Sequence, residues 1–185
     1  MPIGCASFVP EIVFDLFKEG RKPSRILDLG IGMGIYGAVV RQWLDMGVSR
    51  NTYIMGVEGF SKYENPCWQL YDYVHVCSIQ SYLDNSLSEE DFFDCIFFFD
   101  VIEHFEKEEG IDVLKKAIKK VSSGGLIYVG TPSVFCEQSD VYGNTFEVHR
   151  SLWSADDFTS LGFSSLIDGT DHYGCKVLLY KLEKN

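Results

Sequence analysis

Paired cysteines are missing from this sequence. The six cysteines, at positions 5, 67, 77, 95, 136 and 175, form no CxxC and no ligand-like grouping with histidine, so neither a zinc-finger spacing nor a dithiol redox motif is encoded. Cys77, Cys95 and Cys175 fall in or beside apolar runs, where a free thiol packs as a small hydrophobe, and reduced core thiols are expected. Long apolar runs are absent too. Nowhere do about 18 apolar residues follow one another, and MPIGCASFVPEIVFDLF at the start lacks the basic opening and unbroken apolar stretch of a secretory leader. A cytoplasmic protein with no membrane partner is expected. Basic residues are scarce, 16 against 27 acidic for a formal charge of −11, so a phosphate backbone would meet net repulsion. Of the two basic clusters, Arg21, Lys22 and Arg25 are few. Lys115, Lys116, Lys119 and Lys120 lie on a helical pattern whose apolar positions point elsewhere. Nucleic acid is a disfavoured partner.

What is present is an ordinary globular composition, 46% hydrophobic and 23% charged over 185 residues. That is enough for one domain with a sizeable core and too little for a cofactor domain beside a full substrate domain. Residues 1–185 are read as a single domain. Ile12, Val13, Leu16 and Phe17 recur at helical spacing after Pro10, and Gly20 closes the segment, which makes residues 1–24 a helical lead-in or lid. RILDL (25–29), YIMGV (53–57), VHVC (74–77), CIFFF (95–99) and LIYVG (126–130) are nearly unbroken apolar runs, as in strands buried on both faces of a parallel sheet. Helices are expected on Tyr36, Val39, Val40, Trp43 and Leu44, and on Ile111, Leu114, Ile118 and Val121. Ser154 with Asp157 opens a further helix that ends at Gly162. FSSLI (163–167) and CKVLLYKL (175–182) read as an antiparallel hairpin. Alternating strands and helices predict a three-layer α/β sheet closed by that hairpin at one edge.

The stretch ILDLGIGMGIYG (26–37) carries two overlapping nucleotide signatures. Read from Gly32, the glycines at 32, 34 and 37 spell the dinucleotide fingerprint GxGxxG. Read from Asp28, the run is DxGxGxG through Gly30, Gly32 and Gly34. Glycine in a strand-to-helix turn suits either ligand, because the backbone can bend sharply and a ligand can approach with no Cβ in the way. The span 29–40 has no basic residue, which decides nothing, since a helix N-terminus can hold a phosphate unaided. The missing GKS or GKT does exclude a P-loop.

The DxGxGxG frame resembles motif I of the class I S-adenosylmethionine-dependent methyltransferases, where an acid in the strand and glycines in the turn surround the cofactor's amino-acid end. FDCIFFFDVIEHFEKEEG (93–110) is similar to the DVIEH or DVLEH segment at the fourth strand of many small-molecule members, and GGLIYVGTP (124–132) to the fifth strand. The resemblance runs from Arg25 to about Leu182. It implies a Rossmann-like methyltransferase fold of seven strands, six parallel and the last reversed, with S-adenosyl-L-methionine as cofactor and no metal. It also implies a cofactor site of Asp28, Gly30, Gly32, Gly34, Glu58, Ser78, Ile79, Asp100 and Val101. Glu58 would accept hydrogen bonds from a ribose diol. Ser78 and Ile79 occupy the adenine position, where the family's usual acid is replaced by Ser78. Asp100 and Val101 would end a central strand beside the cofactor. ENPCW (64–68) is similar to the NPPY or NPPW motif of amino-methylating enzymes acting on nucleic acids, but it follows the second strand instead of the fourth and lacks the second proline.

After the fifth strand, SVFCEQSDVYGNTFEVHRSLW (133–153) is longer than the usual connection, and such loops commonly carry function. Phe135, Tyr142, Asn144, Phe146 and His149 offer apolar walls and polar groups for a small-molecule acceptor, while Trp153 is expected to pack the loop onto the sheet. His104 and His149 are the candidate bases, useful for a hydroxyl acceptor and dispensable for an amine or thiol. His75 and His172 receive no role. Two alternatives stand beside methyl transfer to oxygen or nitrogen: an NAD(P)-binding oxidoreductase using GxGxxG, and a non-catalytic cofactor-binding module on the same fold.

Overall fold

The computed structural model describes residues 4–18, 20–46, 49–171 and 174–185; His172 lies outside them. In chain order the elements are α1 (Val9–Phe17), β1 (Arg25–Leu29), α2 (Ile35–Trp43), β2 (Tyr53–Glu58), β3 (Tyr73–Val76), α3 (Ile79–Asn85), β4 (Phe93–Phe99), α4 (Lys107–Lys119), β5 (Val121–Pro132), α5 (Ala155–Ser160), β6 (Ser164–Thr170) and β7 (Lys176–Glu183). The strands form one seven-stranded sheet in the order β3-β2-β1-β4-β5-β7-β6. Strands β1 to β5 pair in parallel, and β7 runs antiparallel to both β5 and β6. Seven strands with the last one, β7, reversed is what the family resemblance implies; the strand order is set by the structure.

The unbroken apolar run of β4 has a direct structural cause. Successive strand residues point to opposite faces, and both faces are covered. Ile96 and Phe98 join a core with Val113, Leu114 and Phe158 from α4 and α5. Cys95, Phe97 and Phe99 join a second core with Ile12 and Leu16 of α1 and Tyr36 and Val40 of α2. The lead-in helix is therefore part of the second layer. Asp15 of α1 accepts the Tyr128 hydroxyl at 2.7 Å and also pairs with Lys181.

Several local expectations shift. Trp43, expected on the buried face of α2, is 52% exposed, while Tyr36 and Val40 are buried. Val121 starts β5 opposite Phe93 instead of ending the preceding helix, because Lys120 caps α4. β3 stops at Val76, one residue before the expected end, and Ser78 caps a helix, α3, that the sequence pattern did not predict. Ser154 and Asp157 make the reciprocal capping box that their spacing predicts.

Candidate functional site

β1 and β4 are neighbours, yet the chain leaves β1 towards β2 and leaves β4 towards β5 on the other side. Their carboxyl ends thus form the topological switch point where open α/β sheets collect ligands. β1 ends in a turn with left-handed φ values at Gly30 (+80°), Gly32 (+51°) and Gly34 (+84°), and Gly34 caps α2. A side chain is strained at such φ values, and a Cβ on Gly30 would also sit 2.4 Å from Val101 Cγ2. The turn is locked from below. Gly30 and Ile31 donate to the Val57 carbonyl, Gly32 N–H donates to Glu58 Oε2 at 2.8 Å, and the Trp68 indole donates to the Gly32 carbonyl at 2.8 Å.

A cavity of about 280 Å³ opens over this turn. Gly30, Gly32, Glu58, Ser78, Ile79, Asp100, Val101 and His104 all line it, with Phe146, Glu147 and Arg150 of the long loop on the far wall. Two residues expected at the cofactor do not line it. Asp28 shares a strand face with Ile26, so its carboxylate points under the turn, where it is 2% exposed and accepts the Tyr71 hydroxyl at 2.6 Å. Gly34 faces Tyr71 and Trp68. Gly37 packs on the Tyr71 ring, which a Cβ there would overlap at 2.4 Å. The ENPCW segment supplies this support: Asn65 caps the turn Pro66–Leu70 that carries Trp68. Trp68 and Tyr71 are the structural partners that sequence reasoning missed, since Trp68 belongs only to the misplaced ENPCW segment and Tyr71 to no motif.

A second cavity, about 310 Å³, adjoins the first, and both are lined by Asp100 and His104. Its other walls include Glu103, Cys136, Gln138, His149 and Cys175. Here the structure joins what the sequence separates: the rings of His104 and His149 lie 4.9 Å apart. His104 Nδ1 faces the Val148 carbonyl at 3.3 Å and His149 Nδ1 the Cys136 carbonyl at 2.7 Å. A carbonyl can only accept, so each Nδ1 carries the proton and each Nε2 presents its lone pair. The loop is tied to the DVIEH segment by Arg150, which donates to the His104, Val148 and Thr145 carbonyls. Trp153, 1% exposed, anchors its end by donating to Ile102 and Ser151.

Asp100 sits at the junction with φ +51°, a conformation costing a non-glycine residue about 1–3 kcal/mol, although Asp tolerates it better than most. The Gly130 carbonyl holds its N–H at 2.9 Å, and the Cys5 N–H donates to its carboxylate at 3.0 Å. Burial pushes several site acids upward: Asp100 to about 6, Asp28 to about 7 against the lowering effect of its Tyr71 hydrogen bond, and Glu103 to about 8 with help from the Asp100 charge. Burial also raises Glu58, and it lowers His149 as well as His104, the latter to about 4. Asp28, Glu58, Asp100 and Glu103 pair with no lysine or arginine among the described residues. Glu58 and Asp100, which line the first cavity, complement a cationic ligand there.

A family model described as a methyltransferase domain matches residues 5–164. The chain belongs to that family. It is a class I S-adenosylmethionine-dependent methyltransferase, as its motifs and sheet order imply. Solved structures share this methyltransferase's fold at low identity. The N-methyltransferase NodS from Bradyrhizobium japonicum WM9 is 13% identical, with a TM-score of 0.62 over 94% of this chain and 92% of its own. The plantazolicin methyltransferase BamL, in complex with a triazolic desmethylPZN analog and SAH, is 16% identical, with a TM-score of 0.65 over 98% and 85%. The 1,6-didemethyltoxoflavin-N1-methyltransferase of Burkholderia thailandensis, with bound 1,6-didemethyltoxoflavin and S-adenosylhomocysteine, is 15% identical, with a TM-score of 0.66 over 97% and 79%. No curated protein matches this methyltransferase by sequence. A YxxxK spacing at Tyr180–Lys184 offers the dehydrogenase alternative no support. Tyr180 is buried in β7, and Lys184 bonds the Lys119 and Val121 carbonyls.

Proposed function

We propose that residues 1–185 act as one methyltransferase domain that holds S-adenosylmethionine over the glycine turn and a small-molecule acceptor in the second cavity, for methylation at oxygen or nitrogen. The observation that carries this reading is the meeting of the two cavities at Asp100 and His104. The cofactor supplies a methyl carbon already activated by its positive sulfonium. The protein's own task is therefore orientation, a contribution that can reach about 7–11 kcal/mol when reacting groups are held in line.

Gly30 and Gly32 let a ligand approach the backbone, and the carboxylates Glu58 and Asp100, paired with no lysine or arginine among the described residues, complement its positive charges. Glu58 holds the Gly32 and Phe60 N–H groups, which fixes its carboxylate for a ribose diol. Ile79 and Val101 give apolar contact. The Ser78 hydroxyl accepts the Ser81 N–H at 3.2 Å as a helix cap, so its place at the adenine rests on position alone. His104 and His149, neutral near pH 7, accept a proton at Nε2 if the acceptor is a hydroxyl. An acidic protein with this cavity suits a small molecule better than a nucleic acid. Among the described residues no helix is long and apolar enough to cross a membrane.

A thermal-shift comparison tests the cofactor assignment. S-adenosylhomocysteine should raise the melting temperature while NAD and NADP leave it unchanged; stabilisation by the dinucleotides alone would overturn it. An acceptor screen with labelled cofactor tests the second cavity.

A further inference from the structure

We propose that Glu103, His104 and His149 form a binding site for one divalent transition-metal ion in the wall of the second cavity. One ligand atom from each of these side chains lies within 4.8 Å of the others. Ligands around a tetrahedral ion with bonds of about 2.1 Å stand roughly 3.4 Å apart, so side-chain adjustments of about 1 Å close the set. Two imidazoles and one carboxylate are a donor set for zinc, iron(II), cobalt(II) or manganese(II) and a poor one for magnesium or calcium, which prefer oxygen.

The independent observation is how all three side chains are held. Metal-bound histidines characteristically give the second ring N–H to a carbonyl or carboxylate, which fixes the tautomer and ring orientation. His104 does so to Val148 and His149 to Cys136, from Nδ1 in both cases. Glu103 is 4% exposed, and its Oε2 accepts the Thr131 hydroxyl at 3.0 Å. The Glu103 carbonyl also accepts the N–H groups of Arg150 and Ser151, the two residues after His149. The main chain thus clamps the loop ligand onto the strand-end ligands. A general base would require one imidazole oriented this way. Here two imidazoles and a carboxylate converge.

The three residues face the 310 Å³ cavity, which leaves the ion an open position. On the methyl-transfer reading above, that position would take an oxygen of the acceptor, and the ion would replace an imidazole base. The ion's binding itself stands apart from that reading and is measured without acceptor or cofactor.

The test is titration of chelator-treated protein with cobalt(II), read by visible absorption, with zinc competition and a magnesium control. One equivalent of cobalt should bind with a spectrum of nitrogen and oxygen ligation, zinc should displace it, and magnesium should not. Thr131→Val should weaken affinity about 10- to 100-fold by freeing Glu103, and His149→Gln should weaken it further. Stabilisation by S-adenosylhomocysteine reports that each variant is folded. Failure of the parent protein to take up cobalt overturns the site, as does undiminished binding by a folded His149→Gln or His104→Gln variant. Metal uptake with no response to S-adenosylhomocysteine would leave the site standing and overturn the cofactor assignment.

Discussion

Tyr71 donates its hydroxyl to Asp28 Oδ2 at 2.6 Å, and the Tyr71 hydroxyl oxygen itself accepts the Gly37 N–H at 3.0 Å. One phenol thus joins the end of β1 to the first turn of α2 beneath the glycines. Tyr71→Phe leaves a buried carboxyl and a buried N–H without their partner, a loss of about 1–3 kcal/mol. Urea unfolding of the two proteins measures it. A loss below a few tenths of a kcal/mol would mean that the phenol is not part of the turn's support.

Asp28 predicts a pH dependence of stability. Its carboxyl is raised from 3.8 to about 7 by burial, so between those values the folded state binds a proton that the unfolded state has released. Stability from this group is greatest below about pH 4 and falls as pH rises towards 7. Asp28→Asn removes the titration and keeps an acceptor for Tyr71. Its unfolding free energy relative to the parent should improve by a few kcal/mol between about pH 4 and pH 8. Parallel pH profiles would show that Asp28 ionises normally.

Glu58 tests the cofactor assignment at one residue. Its two oxygens hold the N–H groups of Gly32 and Phe60 at 2.8 Å each. Glu58→Ala should weaken S-adenosylhomocysteine binding about 10- to 100-fold, the scale of one or two charge-assisted hydrogen bonds. Calorimetric titration measures it, with unfolding to correct for lost turn support. Unchanged affinity would mean that the ribose contact is misplaced.

Cys5 lies against β5, since a Cβ on Gly130 would fall 2.2 Å from Cys5 Sγ. Gly130→Ala should destabilise by about 1–3 kcal/mol through overpacking. In a Cys5→Ala background the cost should fall, with a coupling on the order of 1 kcal/mol. Strictly additive losses would show that Cys5 does not pack there.

Composition and periodicity determined much of this protein. CIFFF read as a strand covered on both faces, and alternating elements with a C-terminal hairpin pointed to an α/β sheet, while the reversed last strand came from the family resemblance and the strand order from the folded structure. DxGxGxG and DVIEH pointed to the switch point because backbone turns and strand ends are local features. α3 went unread because seven residues, Ile79–Asn85, are too short for a helical period to stand out.

The site's supports and its second cavity were decided by the tertiary structure alone. Asp28 faces away from the first cavity because strand parity and Tyr71, 43 residues on, set its direction. Trp68, at the end of ENPCW, reaches Gly32 from 36 residues away. His104 and His149 meet although 45 residues separate them. The hydrogen bonds from Arg150 and Ser151 to the Glu103 carbonyl fold the loop back. Contacts between distant segments leave no period or spacing in the chain, so only the folded backbone brings Glu103, His104 and His149 to one wall.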